Sequence, residues 1–421
     1  MYKKSFGARP SRPGGFRPSR FGSRPQAASG AHFNVRGARP AQRRSFGGSR
    51  KGMGQYIDPA KFVSKAVITE ESDVFIPEHA FADFAVGDTL KQNIVAHGYV
   101  TPTPIQDKII PHVLQGRDVV GIANTGTGKT AAFLIPLIHK VTRFPKEAVL
   151  ILVPTRELAV QINEELRGFV KNLRVYSTVC VGGVSISPQI RSLRAHNQFV
   201  IGTPGRVKDL IERKALNLSH YATVVLDEAD RMLDMGFIAD MRYVMSLVPK
   251  ERETLFFSAT MSPEINRLVD EFLKEPIKIS VKTGDTAKSV DQDVIKLKTG
   301  ETKIEVLESL LKKPGFDKVL VFGRTKHGVE RLAEDLVKRG IKAQSIHGNK
   351  NHNHRQKALA MFKDDHVQVL CATDVAARGL DISGVSHVIN FDIPATYEDY
   401  VHRIGRTGRG GKKGNALTFI G

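Results

Sequence analysis

Cysteine is scarce in this sequence, and the two that are present, Cys180 and Cys371, lie far apart inside apolar runs. Disulfide frameworks and thiolate metal sites need several cysteines at close or regular spacing. We therefore predict two buried free thiols in a reducing compartment, and neither a disulfide nor a cysteine-based metal site.

Long hydrophobic runs are also missing. No apolar run approaches the roughly 20 residues that a helix needs to cross a bilayer, so we expect a soluble protein with no membrane partner. Hydrophobic residues nevertheless make up 41% of the 421 residues. That proportion is enough for packed cores in two domains of ordinary size.

Acidic residues are absent from residues 1–56, a segment that contains thirteen lysines and arginines. Much of the net charge of +20 therefore lies in this tail. The segment is rich in Gly, Pro, Ser and Arg and shows no apolar periodicity, so we predict that it is disordered. Its phenylalanines can stack on bases and its cations can contact phosphates, which favours an RNA-binding arm.

Two other interpretations of the tail stay open. A merely solubilising tail would share its composition. An organelle transit peptide is also Arg-rich and acid-poor, although the dense Pro and Gly oppose the amphipathic helix that such a peptide needs.

Strand and helix patterns alternate from about residue 75, which predicts an α/β fold with parallel sheets covered on both faces. Helical patterns such as 156–170 and 326–339 separate the strands. A polar stretch at 282–290 divides two series of strands and predicts a linker. The chain stops at 418–421 inside a further predicted strand, without the helix expected after it. The predicted strands are 118–123, 148–153, 175–181, 199–202, 223–226 and 254–257 in the first series, and 318–322, 367–372 and 387–391 in the second.

A glycine-rich loop follows the first predicted strand and precedes a helical pattern. Gly126 and Gly128 let the backbone approach phosphates, Lys129 would place its ammonium on the β- and γ-phosphates, and the Thr130 hydroxyl would be a ligand of Mg2+. The first position of the general pattern is Ala123 instead of Gly. A loop that binds nothing is the alternative, but the flanking strand and helix favour nucleotide binding.

Two adjacent acids, Asp227 and Glu228, end a predicted buried strand, and ligands of open parallel sheets bind at such ends. Asp227 would hold Mg2+ through water, and Glu228 would orient or deprotonate the attacking water. Paired acids are commonly only a solvated strand end. The functional interpretation is favoured because Asp230 can form hydrogen bonds with the later Ser258 and Thr260 across neighbouring strand tips.

The stretch 227–230 has the sequence Asp-Glu-Ala-Asp, and further motifs follow in order over residues 81–411. In this combination the chain resembles the DEAD-box ATP-dependent RNA helicases. The resemblance implies two tandem RecA-like domains that bind ATP, Mg2+ and RNA. The predicted parts are a basic tail (1–56), a lead-in segment (57–80), a first RecA-like domain (81–281), the linker (282–290) and a second RecA-like domain (291–421).

The resemblance also assigns residues to the nucleotide. Residues 98–106 are similar to the family's adenine-reading Q motif, in which Gln106 would hold the adenine edge, and Phe81 matches its upstream aromatic residue. Arg403 and Arg406 are predicted to share one helical face and resemble arginine fingers, although they could be a solvated stripe. The other nucleotide contacts implied are Tyr99, Thr101, Thr125, Thr127, Gly379 and Asp381.

RNA contacts are implied at loops that follow predicted strands, where hydroxyls, amides and arginines can meet the phosphate backbone without reading bases. Taken one at a time, these loops would also suit a helix N-cap or a turn. The residues implied are Pro154, Thr155, Arg156, Gly183, Thr203, Pro204, Gly205 and Arg206 in the first domain, and Thr325 and Arg378 in the second.

One departure from the family pattern falls at His352, where glutamine is usual, and we expect it to alter one polar contact of the second domain. A metal site formed with His347 and His354 is disfavoured because no Cys or carboxylate cluster accompanies them. The stretches 230–237 and 347–350 resemble the bacterial RhlE-like branch, which suggests a bacterial cytoplasmic protein.

The function implied by the resemblance is that of an ATP-dependent RNA helicase. It would hold the RNA backbone across two domains, with little sequence preference, and separate short duplexes or remodel RNA–protein complexes. Ribosomal or RNA-decay assemblies are candidate partners. Two alternatives stay open: an ATP-gated RNA clamp or scaffold whose hydrolysis times release, and a helicase or translocase that acts on DNA.

Overall fold

The structure, a computed structural model, describes residues 58, 62–65, 75–124, 126–281, 290–377, 382, 384–408 and 413–420. Within these ranges the chain forms two α/β lobes, which we call the first lobe (75–281) and the second lobe (290–420). The predicted tail lies outside the described residues, and so does the linker except Val290, which begins a strand. The domain boundaries predicted there stay predictions.

The first lobe is built on a seven-stranded sheet in which all neighbouring strands are parallel. The six strands predicted for the first series are confirmed, with small differences at their ends. The strands are β1 (Val119–Ile122), β2 (Ala148–Leu152), β3 (Ser177–Cys180), β4 (Phe199–Gly202), β5 (Tyr221–Leu226), β6 (Glu253–Ser258) and β7 (Ile277–Ser280). Their order across the sheet is β3-β4-β2-β5-β6-β1-β7.

Helices cover both faces of this sheet, because a connection between parallel strands must cross from one end of the sheet to the other. Alternate residues of β2 enter two separate apolar cores, one on each face. The helices are α1 (Asp88–Ala96), α2 (Pro104–Leu114), α3 (Lys129–Arg143), α4 (Arg156–Phe169), α5 (Ile186–Leu193), α6 (Pro204–Glu212), α7 (Ala229–Asp234), α8 (Ile238–Leu247) and α9 (Pro263–Phe272).

The second lobe repeats this architecture with a six-stranded parallel sheet in the order β10-β11-β9-β12-β13-β8. Its strands are β8 (Val290–Lys296), β9 (Val319–Phe322), β10 (Ala343–Ile346), β11 (Val369–Ala372), β12 (His387–Asn390) and β13 (Gly414–Ile420). Its helices are α10 (Lys303–Leu311), α11 (Lys326–Lys338), α12 (His352–Lys363), α13 (Asp374–Ala377) and α14 (Tyr397–Ile404). The predicted α/β fold is confirmed.

The sequence pattern does not predict β7, β8 or β10, and all three strands lie at sheet edges. A central parallel strand is buried on both faces and is therefore a continuous apolar run. Edge strands tolerate polar residues, such as Lys278 in β7 and Asp291 and Asp293 in β8. These interruptions hide an edge strand from a search for apolar runs.

Both cysteines are buried and free, as predicted. Burial raises the pKa of Cys180 to about 12, so this thiol stays protonated and unreactive. No helix in the described ranges is long and apolar enough to cross a membrane.

Candidate functional site

The glycine-rich loop connects β1 to the first turn of α3. Gly126 and Gly128 have φ angles of 83° and 91°, a left-handed region that glycine enters without strain. Lys129 is 6% exposed, and its ammonium donates a hydrogen bond to the Ala123 carbonyl (2.8 Å). The loop thus presents backbone amides and a buried cation at a helix N-terminus, which suits phosphate groups. Thr125 lies outside the described residues.

Gln106 fastens α2 to this loop. Its carboxamide accepts from the Thr103 amide (2.9 Å) and donates to the Gly128 carbonyl (3.1 Å). The Thr103 hydroxyl donates to the Thr127 carbonyl (2.8 Å). Both ends of the Gln106 side chain therefore bind the protein in this structure, so its adenine contact stays a prediction and would require it to exchange partners.

The predicted base-contacting aromatics lie in and beside the core. Phe81 is 4% exposed and packs edge-on against Tyr99, with ring centroids 5.8 Å apart. Tyr99 lines the cavity beside the glycine loop, and its hydroxyl binds Glu165. Thr101 is exposed. Tyr99 is thus the aromatic residue that a ligand in this cavity would contact, and the buried Phe81 ring packs against it.

The two adjacent acids follow β5. Asp227 is 3% exposed, and burial raises its pKa to about 6, while the nearby Lys129 ammonium opposes the rise. Glu228 has a φ angle of 53°, a strained value for a residue with a side chain. Its carboxylate forms a buried ion pair with Arg231 (2.9 Å). Strain and a buried carboxylate with a raised pKa are features that concentrate at functional sites.

Asp230 joins the tips of β5 and β6: it forms the predicted contact with Thr260, whereas Ser258 bonds to Thr260 instead of Asp230. Its carboxylate accepts hydrogen bonds from the amides of Ala259 (3.0 Å) and Thr260 (3.2 Å). The Ser258 hydroxyl donates to the Thr260 carbonyl (2.7 Å). These hydrogen bonds link the end of β5 directly to the end of β6.

Two cavities lie between these tips and the second lobe. The larger, about 440 Å3, is lined by the glycine loop, Asp227 and Glu228 on one side and by Lys363 and Arg406 on the other. The smaller, about 280 Å3, lies between Glu228 and α14 and also reaches Arg406. The second lobe thus completes the wall of the candidate nucleotide site.

The two predicted arginine fingers occupy different environments. α14 ends at Ile404, so the prediction that Arg403 and Arg406 share a helical face is wrong. Arg403 is 2% exposed and binds Asp374 (2.8 Å), Asn390 (3.1 Å) and the Asp392 carbonyl (2.7 Å) within its own lobe. Only Arg406 of the pair lines both of these cavities between the lobes.

The different contacts of Arg403 and Arg406 indicate different functions for the two arginines. Arg403 has its donors committed to its own lobe, which suits a structural contribution. Arg406 lies where a charged group could meet a ligand held by the first lobe. Gly379 and Asp381 lie outside the described residues, so their ribose contacts stay predictions.

The residues present fit Mg2+ carried with a nucleotide. Asp227 is a buried carboxylate beside Lys129, and the Thr130 side chain lines the same cavity. The described residues include no group of three or more His, Cys, Asp or Glu side chains that could hold a metal alone. Mg2+ commonly binds through one or two protein groups together with phosphates and water, which matches this donor set.

The loops predicted to contact RNA follow β2, β3 and β4, on the other half of the same sheet edge. Thr155 caps α4 (3.3 Å to the Leu158 amide), and the Arg156 guanidinium lies against Gly183, leaving no room for a side chain there. Burial lowers the pKa of Arg156, and the Arg355 and Arg206 charges lower it further. Three guanidiniums held near one another would bind an anion well. The remaining predicted residues of this set are Pro154, Thr203, Pro204 and Gly205, at the ends of the same strands.

A buried ion pair joins the lobes beside these arginines. Arg355 of α12 lies 2.9 Å from the Glu157 carboxylate of α4, and both residues are buried. Four side chains here each have one buried polar atom without a hydrogen-bond partner among the described residues: Glu157, Arg206, His352 and Arg355. Buried polar atoms of this kind are groups that a bound polar ligand such as a phosphate could satisfy. Only the fold identifies Glu157 as the partner of Arg355.

His352 lies beside the same ion pair between the lobes. Burial lowers its pKa, the Arg156 and Arg355 charges lower it further, and Glu157 opposes them.

On the second lobe, Thr325 caps α11 through the Gly328 amide (3.0 Å) and is exposed. Arg378 lies outside the described residues.

Two parallel sheets with a glycine-rich loop and paired acids between them define a class of two-lobed proteins with RecA-like sheets. Residues 103–268 match the DEAD/DEAH box helicase family and residues 302–411 match the helicase conserved C-terminal domain. The chain belongs to the DEAD-box ATP-dependent RNA helicase family.

Curated relatives share nearly half of their aligned residues with this chain. It is 48% identical to the DEAD-box ATP-dependent RNA helicase CshA of Bacillus cereus over 343 residues, which are 81% of this chain and 65% of that protein. It is 48% identical to CshA of Geobacillus kaustophilus over 81% of this chain and 73% of that protein. The chain thus spans about two thirds of the Bacillus relative. The RhlE-like assignment within the family stays a prediction.

Solved structures share the two-lobed arrangement. Dbp5 of S. cerevisiae bound to RNA and ADP BeF3 matches with a TM-score of 0.73 and 29% identity, over 81% of this chain and 89% of that chain. Mss116p bound to ssRNA and AMP-PNP matches with a TM-score of 0.74 and 29% identity, over 85% of this chain and 77% of that chain.

We predict that Asp227→Asn stabilises the ligand-free protein, and more so at high pH. The folded protein holds the Asp227 proton more tightly than the unfolded chain does, so the carboxylate destabilises the fold as pH rises from about 4 through 6. A pKa raised from 3.8 to about 6 corresponds to roughly 3 kcal/mol above both values. Asparagine does not ionise and avoids this cost.

The measurement is the thermal unfolding midpoint of both proteins at pH 4.5 and pH 8 without nucleotide. The advantage of the variant should shrink to about 1 kcal/mol at pH 4.5. An equal advantage at the two pH values, or none at pH 8, would contradict a raised pKa for Asp227.

Proposed function

We propose that this chain is an RNA-stimulated ATP hydrolase that couples hydrolysis to local separation of RNA duplexes or to remodelling of RNA–protein complexes. The observation that carries the proposal is the single cavity in which the glycine loop, Asp227 and Glu228 face Arg406 across the two lobes. A hydrolytic site divided in this way is complete only when the lobes are together.

ATP binds the first lobe with its phosphates on the loop amides and on Lys129. Asp227 and Thr130 would hold Mg2+, which would neutralise phosphate charge. Glu228 accepts a hydrogen bond or a proton from the attacking water. Arg406 stabilises charge that develops on the transferring phosphoryl group, as arginine does in this reaction class.

RNA binds through its backbone along the loops after β2, β3 and β4. The support is the clustering of Arg156 and Arg206 at the N-terminal ends of α4 and α6, with Arg355 reaching in from the second lobe. Contacts of this kind position a strand without reading its bases. The ligand is therefore single-stranded RNA or a short duplex, with little sequence preference.

ATP and RNA favour the same closed arrangement, because each ligand touches both lobes. The Glu157–Arg355 pair adds to closure, since each charge needs the other lobe as its partner. Two ligands that stabilise one state bind cooperatively. Hydrolysis removes one of them, and the lobes then separate and release RNA.

Two competing functions are distinguished by simple outcomes. A clamp or scaffold would retain a duplex through ATP binding and release it after hydrolysis without separating its strands. A DNA helicase or translocase would be stimulated by DNA. We also propose a bacterial cytoplasmic location, in keeping with the bacterial relatives named above, and contact with ribosomal or RNA-decay assemblies.

The first experiment measures ATP hydrolysis without nucleic acid, with single-stranded RNA, and with DNA of matched sequence. We expect strong stimulation by RNA only. Glu228→Gln is the matched variant: it should still bind ATP, because the phosphate cradle is intact, and should hydrolyse it at least about a hundredfold more slowly. Stimulation by DNA alone, or unchanged turnover in Glu228→Gln, would overturn the corresponding assignment.

Arg403→Ala and Arg406→Ala should fail in different ways. Arg403→Ala leaves Asp374 and Asn390 without their buried partner and should lower the unfolding free energy by roughly 3 kcal/mol. Arg406→Ala should lower RNA-stimulated hydrolysis about a thousandfold. Thermal midpoints and hydrolysis rates of both variants test this, and equal effects on both measurements would refute the division.

Deleting residues 1–56 should weaken RNA binding and flatten its dependence on salt. Up to thirteen cations are lost, and each phosphate contact contributes close to one unit to the slope of log affinity against log salt. RNA affinity of both forms between about 50 and 200 mM salt measures the slope. Equal slopes would mean that the tail only promotes solubility.

A further inference from the structure

A four-residue segment that precedes the first lobe packs against the second lobe. We call residues 62–65 the docking segment. Phe62 is fully buried in an apolar cluster with Val290 of β8, Ala416 of β13 and Tyr400 of α14. The segment therefore belongs to the core of the second lobe, although the chain enters the first lobe next.

Backbone hydrogen bonds hold the docking segment in register. The Ser64 amide donates to the Gln292 carbonyl (3.0 Å), and the Gln292 amide donates to the Ser64 carbonyl (2.7 Å), forming an antiparallel bridge on β8. β8 is the edge strand of its sheet, and edge strands present backbone groups that need partners. Ser64 supplies them at this position.

Gln292 also connects the docking segment to α14. The Tyr400 hydroxyl donates to the Gln292 side chain (2.9 Å), and the Tyr400 ring lies 4.7 Å from the Phe62 ring between centroids. Burial raises the pKa of Tyr400, so the hydroxyl stays protonated and can donate. Phe62, Tyr400 and Gln292 thus form a closed set of contacts, together with the Ser64 backbone.

The position of α14 matters for the candidate nucleotide site. A helix of eight residues has little stability of its own and is located by what it packs against. Tyr400 and Ile404, one turn apart, face the cluster that contains Phe62. Arg406 follows the end of the helix by two residues and lines both cavities between the first lobe and the second. A shift of α14 therefore moves Arg406 relative to Glu228.

We propose that the docking segment is a positioning element for the hydrolytic site, with Phe62 and Ser64 holding α14 where Arg406 reaches the phosphate cavity. This inference rests on the proposed function, since it requires Arg406 to act in hydrolysis. Docking is intramolecular: residues 66–74 join the segment to the first lobe, where the Glu78 amide binds Asp107 (2.9 Å). A short connection gives a high effective concentration, so few contacts suffice.

The test uses four single substitutions in the full-length chain. Phe62→Ala removes the ring, and Phe62→Leu should restore part of the packing. Ser64→Pro removes the amide that donates to Gln292, whereas Ser64→Ala keeps it and is the matched control. We expect Phe62→Ala and Ser64→Pro to lower the kcat of RNA-stimulated hydrolysis roughly tenfold. This kcat is the hydrolysis rate divided by the amount of bound nucleotide. KM for ATP should change little, because the first lobe supplies the phosphate contacts.

Hydrogen exchange of the peptides that cover β8 and α14 measures docking without reference to activity. Exchange should become faster in Phe62→Ala and Ser64→Pro and stay unchanged in Ser64→Ala. Unchanged exchange in all four variants would show that the segment does not dock. Faster exchange with wild-type kcat per bound nucleotide would show docking without a positioning role. A wild-type protein without RNA-stimulated turnover would instead overturn the proposed function, and the exchange result would still separate the two failures.

Discussion

Parallel pairing of β5 with β6 and of β6 with β1 is the constraint on which the rest of the site depends. Because the strands run in one direction, their carboxyl ends meet at one edge of the sheet. Lys129, Asp227 and Thr260, which are far apart in the chain, become neighbours there. The same edge carries Arg156 after β2 and Arg206 after β4, so the second lobe can cover a nucleotide and a nucleic acid together.

The charged groups at this edge of the sheet favour the binding of charged ligands, and they lower the stability of the protein. Asp227 has its pKa raised by burial, and Arg156 has its pKa lowered by burial and by neighbouring arginines. Burial disfavours the charged form of each, although an oppositely charged neighbour partly offsets this effect. Glu228 adds backbone strain at the same place. The charged groups of the site are thus already in place before a ligand binds, and they lower the stability of the protein.

Helix ends and sheet edges are where prediction from the sequence is weakest. The spacing of Arg403 and Arg406 predicts one helical face, but α14 ends at Ile404, and Asp374 engages the first arginine. The polar residues of β8 hide it from a search for apolar runs, yet β8 carries the bridge to Ser64. In each case a contact from another part of the chain decides the local structure.

The sequence by itself determined the local chemistry: the central strands as apolar runs, the glycine loop before α3, and the acids after β5. These features depend on neighbouring residues, so periodicity and motif order reveal them. Only the tertiary structure decided that Glu157 pairs with Arg355, that Arg406 and not Arg403 faces the nucleotide cavity, and that Phe62 packs under α14. Those outcomes depend on distances between residues remote in the chain, which no local pattern of residues encodes.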